Sequence, residues 1–287
     1  MAARYDPAIS RATTCPNPRT LPKGGNLFSG FSPPMHGFAN PARFLRLARW
    51  LTPLLLIAGL VVTGVVLTWA LVAAPAERLQ GDSARILFVH VPAAWLGMGG
   101  WTALAIASLT ELVWRHPLAA IAARAIALPG AWFSALCLAT GSLWGRPAWG
   151  TWWVWDGRLT SMLVLLFLYL AYMALAEAAD RDASGSGSGQ SRIPAIFGLV
   201  GAINIPIIHY SVLWWNSLHQ PPSISVGKSA MAPVFLYGLL AAVIGFSLLF
   251  GGVVLARMRA ILAHAQAEAR LRRRAMEQDA GDFGKRD

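Results

Sequence analysis

The residues with the clearest chemical capacity stand together at positions 149–160, which read WGTWWVWDGRLT. This segment holds four of the 13 tryptophans, an acid and a base: Trp149, Trp152, Trp153, Trp155, Asp156 and Arg158. Indole rings at this density form a flat, polarizable surface with several N–H donors. An aromatic belt at a membrane boundary spreads its rings more thinly around a protein. The segment therefore predicts a binding surface for a large planar ligand that carries carboxylates.

Two histidines are the candidate metal ligands. His90 lies in FVHVPAAW, where Pro92 suits the first turn of a helix, and His219 lies in WWNSLHQP. Two neutral imidazoles that converge across a gap bind haem iron at its two axial positions. With both histidines on the iron, the tryptophan segment would cover the porphyrin face or meet its propionates. Arg158 or Arg146 would then pair with these carboxylates.

Each of these residues also has a plainer interpretation. A single histidine at a helix end is usually a cap or a satisfied polar residue. Asp156 is suited to cap the N-terminus of a helix, where a carboxylate is favoured, and Arg158 is suited to pair with Asp156. His209 is a third candidate, because an ionisable residue within a membrane span is a functional candidate by default. We expect His209 to have a packing or supporting role under Trp214 rather than to bind iron.

The composition indicates a membrane protein that positions these residues. Hydrophobic residues make up 56% of the chain, charged residues make up 13%, and the mean hydropathy is +0.51. Soluble domains carry about 25% charged residues. Six apolar runs approach or exceed the roughly 20 helical residues that cross a bilayer, and period-two alternation is absent. They lie at 50–73, 91–114, 118–139, 159–178, 193–213 and 234–256.

The predicted fold class is therefore an all-α membrane protein with six transmembrane helices. Pro129 and Pro206 interrupt the third and fifth runs, and both are kept as kinked spans because membrane helices tolerate proline. All 24 lysines and arginines except Arg78, Arg85, Arg146, Arg158 and Lys228 lie on the inner side if both termini are cytoplasmic. The positive-inside rule thus predicts an N-in, C-in orientation. The tryptophan segment, His90 and His219 then share the outer face.

The remaining sequence predicts tails and a linker. Residues 1–46 read as a disordered basic cytoplasmic tail, 47–257 as the six-helix domain, and 258–287 as a basic cytoplasmic tail into which the last helix continues. The Ser/Gly-rich positions 182–190 read as an inner linker. The basic inner segments explain the net charge of +11, so anionic membrane lipid is the expected contact and nucleic acid is not. No C-x-x-C-H motif is present, so the chain is not itself a c-type cytochrome.

The three outer segments together resemble the haem-handling protein family. The HVPAA sequence, the tryptophan segment and IHYSVLWWNSLHQ at 208–220 are similar to the haem exporter C (CcmC) family of cytochrome c maturation. This resemblance covers roughly residues 50–256 and all six spans in order. It implies that His90 and His219 are the axial ligands of haem b. It further implies a haem platform, which would consist of Trp149, Trp152, Trp153, Trp155 and Asp156.

The resemblance also implies a function and partners. Members of the family present haem at the periplasmic face of the bacterial inner membrane, where it is loaded onto the haem chaperone CcmE. The other implied partners are the ABC-transporter components CcmA and CcmB and the small membrane protein CcmD. We accordingly expect a haem transporter or chaperone component rather than an enzyme.

Two alternatives remain from the sequence. A b-type cytochrome subunit for electron transfer would need histidine pairs buried mid-span, ideally at two depths. A scaffold for the ABC transporter would leave the tryptophan segment without a purpose. The long N-terminal extension and the Ser/Gly linker depart from what the family leads us to expect, and neither touches the predicted site.

Overall fold

The computed structural model describes residues 41–186, 191–215, 217–219, 224–225, 228–229 and 231–283. Helices dominate these residues. They are α1 (Pro41–Val72), α2 (Leu87–Trp114), α3 (Pro117–Trp149), α4 (Gly157–Ser186), α5 (Ile193–Gly201), α6 (Asn204–Trp214) and α7 (Pro233–Phe283). A 3₁₀ turn at Asp82–Ile86 precedes α2. Two short antiparallel strands, β1 (Ile224–Ser225) and β2 (Lys228–Ser229), lie before α7.

Six segments of the described chain are long and apolar enough to cross a membrane, which confirms the predicted fold class. They are Pro41–Val72, Asp82–Trp114, Pro117–Trp149, Gly157–Asp182, Ile193–Trp214 and Pro233–Gln278. Helices α5 and α6 together form the fifth span. The last helix continues beyond its apolar part to Phe283, in agreement with the predicted continuation.

Several helix ends differ from the predictions. α1 begins at Pro41, so positions 41–46, which the sequence assigned to the tail, are helical. α2 begins at Leu87, so His90 lies within its first turn rather than before it. α3 continues to Trp149, so the connection predicted between the third and fourth apolar runs is shortened to residues 150–156. Hydropathy marks where apolar residues start and stop, whereas a helix continues into water until its backbone groups are capped.

The two prolines have different consequences. Pro129 lies inside α3 and has no N–H, so the carbonyl of Ala125 loses its partner within the helix. Arg257 of α7 donates to this carbonyl from Nε at 3.0 Å. Pro206 accompanies a break between α5 and α6, where the N–H of Ala202 bonds three residues back to Leu199. Both spans therefore cross as predicted, and one proline is compensated by a neighbouring helix.

Close helix packing builds the bundle. α2 packs along α3, α1 packs along α7, and α4 lies against α3. A methyl group at Gly59 of α1 would lie 2.6 Å from the backbone nitrogen of Leu249, so this small residue permits the close approach of α7. Tyr169 is fully buried and donates to the carbonyl of Gly97 at 2.8 Å, which joins α4 to α2.

One end of the bundle, which is the outer end in the predicted orientation, holds three connections between spans. Because successive spans alternate in direction, the C-terminal ends of α1, α3 and α6 meet the N-terminal ends of α2, α4 and α7. Arg85 ties the first connection to α1 by donating to the carbonyls of Leu71 at 2.5 Å and Ala74 at 3.0 Å. The other two connections contain Asp156 and His219. The fold therefore gathers all three predicted segments at one end.

Candidate functional site

A cavity of about 430 Å³ lies at this end of the bundle. Its wall combines apolar side chains with a small set of polar and aromatic ones. The latter are Gln80, His90, Trp144, Trp149, Arg158, His209 and His219. Ligand sites commonly have volumes of roughly 300–1,000 Å³ and this mixture of apolar walls with few polar groups. Sequence-distant residues from both predicted histidine segments and the tryptophan segment thus share one cavity.

His90 is held by the third helix. Its Nδ1 lies 3.1 Å from the carbonyl oxygen of Cys137 and 3.1 Å from Oγ1 of Thr140. The Thr140 hydroxyl donates to the carbonyl of Leu136 at 2.6 Å, so its oxygen accepts from the histidine. A carbonyl oxygen can only accept, and therefore Nδ1 carries the hydrogen. The other ring nitrogen, Nε2, retains its lone pair for a ligand.

Three residues on one face of α3 contact the imidazole of His90. Cys137, Gly141 and Trp144 follow each other at the spacing of helical turns. A methyl group at Gly141 would lie 3.0 Å from Cε1 of His90, so the imidazole rests against bare backbone. The Trp144 ring meets the imidazole edge-on, with centroids 5.6 Å apart, and its Nε1 donates to Gln80 at 2.9 Å.

His219 is held by the tryptophan segment and by its own loop. Its Nδ1 lies 2.7 Å from Oδ2 of Asp156. Ser217 donates to the same carboxylate oxygen at 2.5 Å and accepts the backbone N–H of His219 at 3.1 Å. The Trp149 ring packs edge-on against the imidazole, with centroids 4.7 Å apart. The ring orientation is therefore fixed by a carboxylate, a hydroxyl and an indole.

Asp156 has two structural roles at once. Its Oδ1 accepts the backbone N–H of Leu159 at 2.8 Å, which caps α4, while Oδ2 binds Ser217 and His219. Asp156 therefore caps α4, as its plainer interpretation predicted, and at the same time holds the ring of His219. The alternative pairing with Arg158 is not seen, since no ion pair joins the two side chains in the described structure.

The charge states of this pair follow from its surroundings. Burial acts to raise the pKa of Asp156, but hydrogen bonds from Ser217, Leu159 and His219 outweigh it and hold the pKa below its usual range. Burial lowers the pKa of His219, and the hydrogen bond to Asp156 opposes this without cancelling it. Arg158 adds to the depression of the His219 pKa. A carboxylate therefore faces a neutral imidazole, whose Nδ1–H donates and whose Nε2 has no hydrogen bond to any residue that the structure describes.

Arg158 supplies positive charge to the cavity. It lies in the wall and is half-buried, and its guanidinium has no hydrogen bond or ion pair within the described residues. A partly desolvated cation without a partner favours an anionic group of a ligand. Arg146, the other candidate, is exposed and donates to the carbonyl of Gly150 instead. Of the two arginines that the sequence left as alternatives, Arg158 lines the cavity and Arg146 does not.

The remaining tryptophans of the segment lie outside the cavity wall. Trp152 and Trp155 are 55% and 75% exposed. Trp153 is half-buried against Trp155, with ring centroids 5.4 Å apart, and its Nε1 is buried without a hydrogen-bond partner in the described chain. Trp149 therefore lines the cavity, whereas the other three indoles form its outer surroundings.

Several residues of the site escaped the sequence analysis. Trp144 and Gly141 fall in a stretch that reads as loop, because Gly and Pro are frequent there, yet both lie on α3. Ser217 contacts Asp156 across 61 positions, and no local pattern signals such a contact. His209 was expected to pack under Trp214. It is exposed instead, lies in the cavity wall, and meets Tyr210 edge-on with centroids 4.8 Å apart.

Comparison with known proteins shows the family of the chain. The family described as "Heme exporter protein C", CcmC, matches residues 34–273. The protein of that name from Bradyrhizobium diazoefficiens is 50% identical over 222 residues, which are 77% of this chain and 82% of that protein.

Two further relatives carry the same name. The Escherichia coli K12 protein is 44% identical over 228 residues, covering 79% of this chain and 90% of its own. The Haemophilus influenzae protein is 41% identical over 235 residues, covering 82% and 94%. With six spans and such bacterial relatives, the chain is a multi-pass inner-membrane protein. The resemblance inferred from its motifs is confirmed, and the chain belongs to the haem exporter C (CcmC) family.

Proposed function

We propose that this protein binds haem b at the periplasmic face of the inner membrane, through His90 and His219, and delivers it for cytochrome c maturation. The family membership supports a role in haem export within that process. The axial ligands, the haem type and the delivery step are our proposal. A transporter or chaperone role fits this family better than an independent enzyme.

The proposal rests on one observation: both histidines line the same cavity, and both have the same ring nitrogen hydrogen-bonded. Each belongs to the wall of one cavity, and each has Nδ1 engaged, by Cys137 and Thr140 for His90 and by Asp156 for His219. In both rings Nε2 is the nitrogen left for a metal. Two imidazoles in this state are suited to the axial positions of one haem iron.

The rest of the cavity suits the porphyrin. Apolar side chains such as Ala94, Met98 and Met162 line the wall and would contact the macrocycle. Arg158, whose guanidinium has no hydrogen bond or ion pair within the described residues, provides the cation for a propionate. Asp156 makes the imidazole of His219 a more basic ligand by accepting its Nδ1–H.

Transfer of haem to the chaperone would take place at the outer edge of the cavity. Trp152 and Trp155 are exposed there, next to Trp153, and offer indole surface to the haem or to the chaperone CcmE that receives it. We further propose CcmA, CcmB and CcmD as the membrane partners, and anionic lipid as the contact of the basic ends. This outer position rests on the predicted N-in, C-in orientation.

Orientation has a direct test. Cysteine at Ala76, exposed in the first outer connection, should react with an impermeant maleimide added to intact spheroplasts. Cysteine at Ala265, exposed on the extension of α7, should react only after the membrane is opened. The reverse labelling pattern would contradict the orientation and the periplasmic site.

The b-type cytochrome alternative lacks a second haem site in the described residues. His116 caps α3 through its ring nitrogen, and His264 lies on the α7 extension 3.5 Å from Glu268. Neither histidine is buried within a span opposite another. The arrangement therefore favours haem handling at one face over electron transfer across the bilayer.

A visible spectrum of the purified full-length protein tests the proposed function. Addition of ferric haem should give the Soret and visible bands of a low-spin, bis-imidazole complex at one haem per chain. A protein that gives no such complex would be a scaffold rather than a haem handler. A complex with two haems per chain would favour the cytochrome alternative.

A further inference from the structure

His209 lies where the cavity reaches the surface of the bundle. It belongs to the cavity wall and is also exposed. It stands five residues before the end of α6, about 8 Å along the helix from Trp214 at 1.5 Å per residue. In the predicted N-in, C-in orientation α6 is the outer half of the fifth span, so His209 lies at the depth of the outer leaflet.

The His209 ring differs from the other two imidazoles of the cavity in how it is held. His90 and His219 each have Nδ1 fixed by a hydrogen bond, whereas His209 makes an edge contact with Tyr210 and no hydrogen bond in the described structure. An unbonded polar ring at lipid depth is unfavourable, and such residues are functional candidates. A ring without an anchored nitrogen is also free to change rotamer. These properties suit a temporary ligand rather than a permanent one.

A seam between α2 and α6 adjoins this ring. In the outer half of the bundle, α6 packs along α4 and makes few contacts with α2, while α5 packs along α2 in the inner half. The cavity wall nevertheless takes residues from both sides of the seam: Val91, Ala94 and Met98 from α2, and Ile208 and His209 from α6. At the depth of His209, the cavity wall between these two helices is therefore held by few contacts.

We propose that haem passes between the outer leaflet and the cavity through the α2–α6 seam, and that His209 ligates its iron during passage. This inference rests on the proposed function. Haem combines an apolar macrocycle with two carboxylates on one edge, so it enters lipid with its carboxylates at headgroup level. An iron–nitrogen bond to His209 forms as a water ligand leaves. That bond breaks when Nε2 of His219 takes the position, with no change in iron oxidation state or proton number.

Uptake of haem from lipid tests the proposal. The full chain, reconstituted without haem in phosphatidylcholine liposomes, is mixed with ferric haem, and the bis-imidazole Soret band is followed by stopped flow. In His209→Ala and His209→Gln the band should appear about tenfold more slowly, the effect of a barrier higher by about 1.4 kcal/mol, and should end at the wild-type spectrum. His209→Met, which offers a sulfur ligand, should recover part of the rate. His264→Ala, a histidine outside the cavity, should match wild type.

The outcomes separate the two proposals. Wild-type uptake rates in His209→Ala and His209→Gln would overturn the role of His209 and leave the axial pair intact. Equal slowing in the Gln and Met variants would indicate a packing role and would also overturn it. A changed final spectrum in His209→Ala would make His209 a resident ligand, against this inference. Failure of the wild-type protein to form the complex would instead overturn the proposed function.

Discussion

Asp156 and His219 are joined by a 2.7 Å contact between Oδ2 and Nδ1 across 63 positions, while Oδ1 of the same carboxylate caps α4. One side chain thus couples the start of a helix to the orientation of a proposed iron ligand. The coupling explains why an acid follows the tryptophans at this position. It also means that the two roles need to be separated by substitution.

Asp156→Asn should make that separation. Asparagine keeps the helix cap, so the protein should fold and insert normally. Loss of the carboxylate removes the charge that makes the His219 imidazole basic, and haem affinity should fall about 10- to 100-fold. Haem titration followed by absorbance measures this, and Asp82→Asn, an exposed acid in the first outer connection, is the control. Unchanged affinity in Asp156→Asn would show that the carboxylate serves α4 alone.

The pKa of His219 should lie below the ordinary value of histidine. Burial lowers its pKa from 6.5, and the hydrogen bond to Asp156 opposes that shift. The haem-free imidazole should therefore titrate with a midpoint below 6.5, as measured by NMR of the ring Cε1–H. In Asp156→Asn the midpoint should move lower still, because the group that raises the pKa is gone. A midpoint above 6.5 would contradict the charge states described for the pair.

Gly141→Ala should disturb His90 without unfolding the helix. The added methyl group would lie 3.0 Å from Cε1 of His90, so the ring must shift by a few tenths of an ångström. Alanine favours a helix over glycine, so stability should not fall for backbone reasons. We expect a larger high-spin fraction in the haem spectrum. Gly99→Ala, where the methyl group would meet no atom within 4 Å, should keep the wild-type spectrum.

The tryptophans should divide into two functional groups. Trp149→Ala removes the ring that packs on His219 and should weaken haem retention about three- to tenfold, the value of an aromatic contact. The double substitution of Trp152 and Trp155 by Ala should retain haem but slow its transfer to CcmE, because these rings are exposed outside the cavity wall. Equal haem loss in both variants would instead indicate that all three tryptophans bind haem, as the sequence analysis expected.

The six spans were predictable because they depend on local composition, and their alternating direction brings the three segments to one end of the bundle. The cap at Asp156 also has a local signal, an acid directly before an apolar run. Helix ends were predicted less well. α3 extends through Gly141 and Trp144 to Trp149 although this stretch resembles a loop, because packing against α2 overrides the weak helix preference of glycine.

The supports of the two histidines could not be predicted. Cys137 and Ser217 reach His90 and Asp156 only through tertiary packing, and a carbonyl or a serine hydroxyl has no distinctive sequence pattern. The position of His209 between cavity and lipid depends likewise on the break between α5 and α6. Motifs thus identified the chemical groups, whereas the fold determined which nitrogen of each ring stays free.

The axial pair is tested most directly by the haem spectra of His90→Ala, His219→Ala and His209→Ala in otherwise intact protein. The first two substitutions should each convert the low-spin bis-imidazole spectrum to one with a lost ligand, and added imidazole should partly restore it by filling the vacated position. At equilibrium His209→Ala should keep the wild-type spectrum. Loss of ligation in His209→Ala together with an unchanged spectrum in His219→Ala would contradict the account.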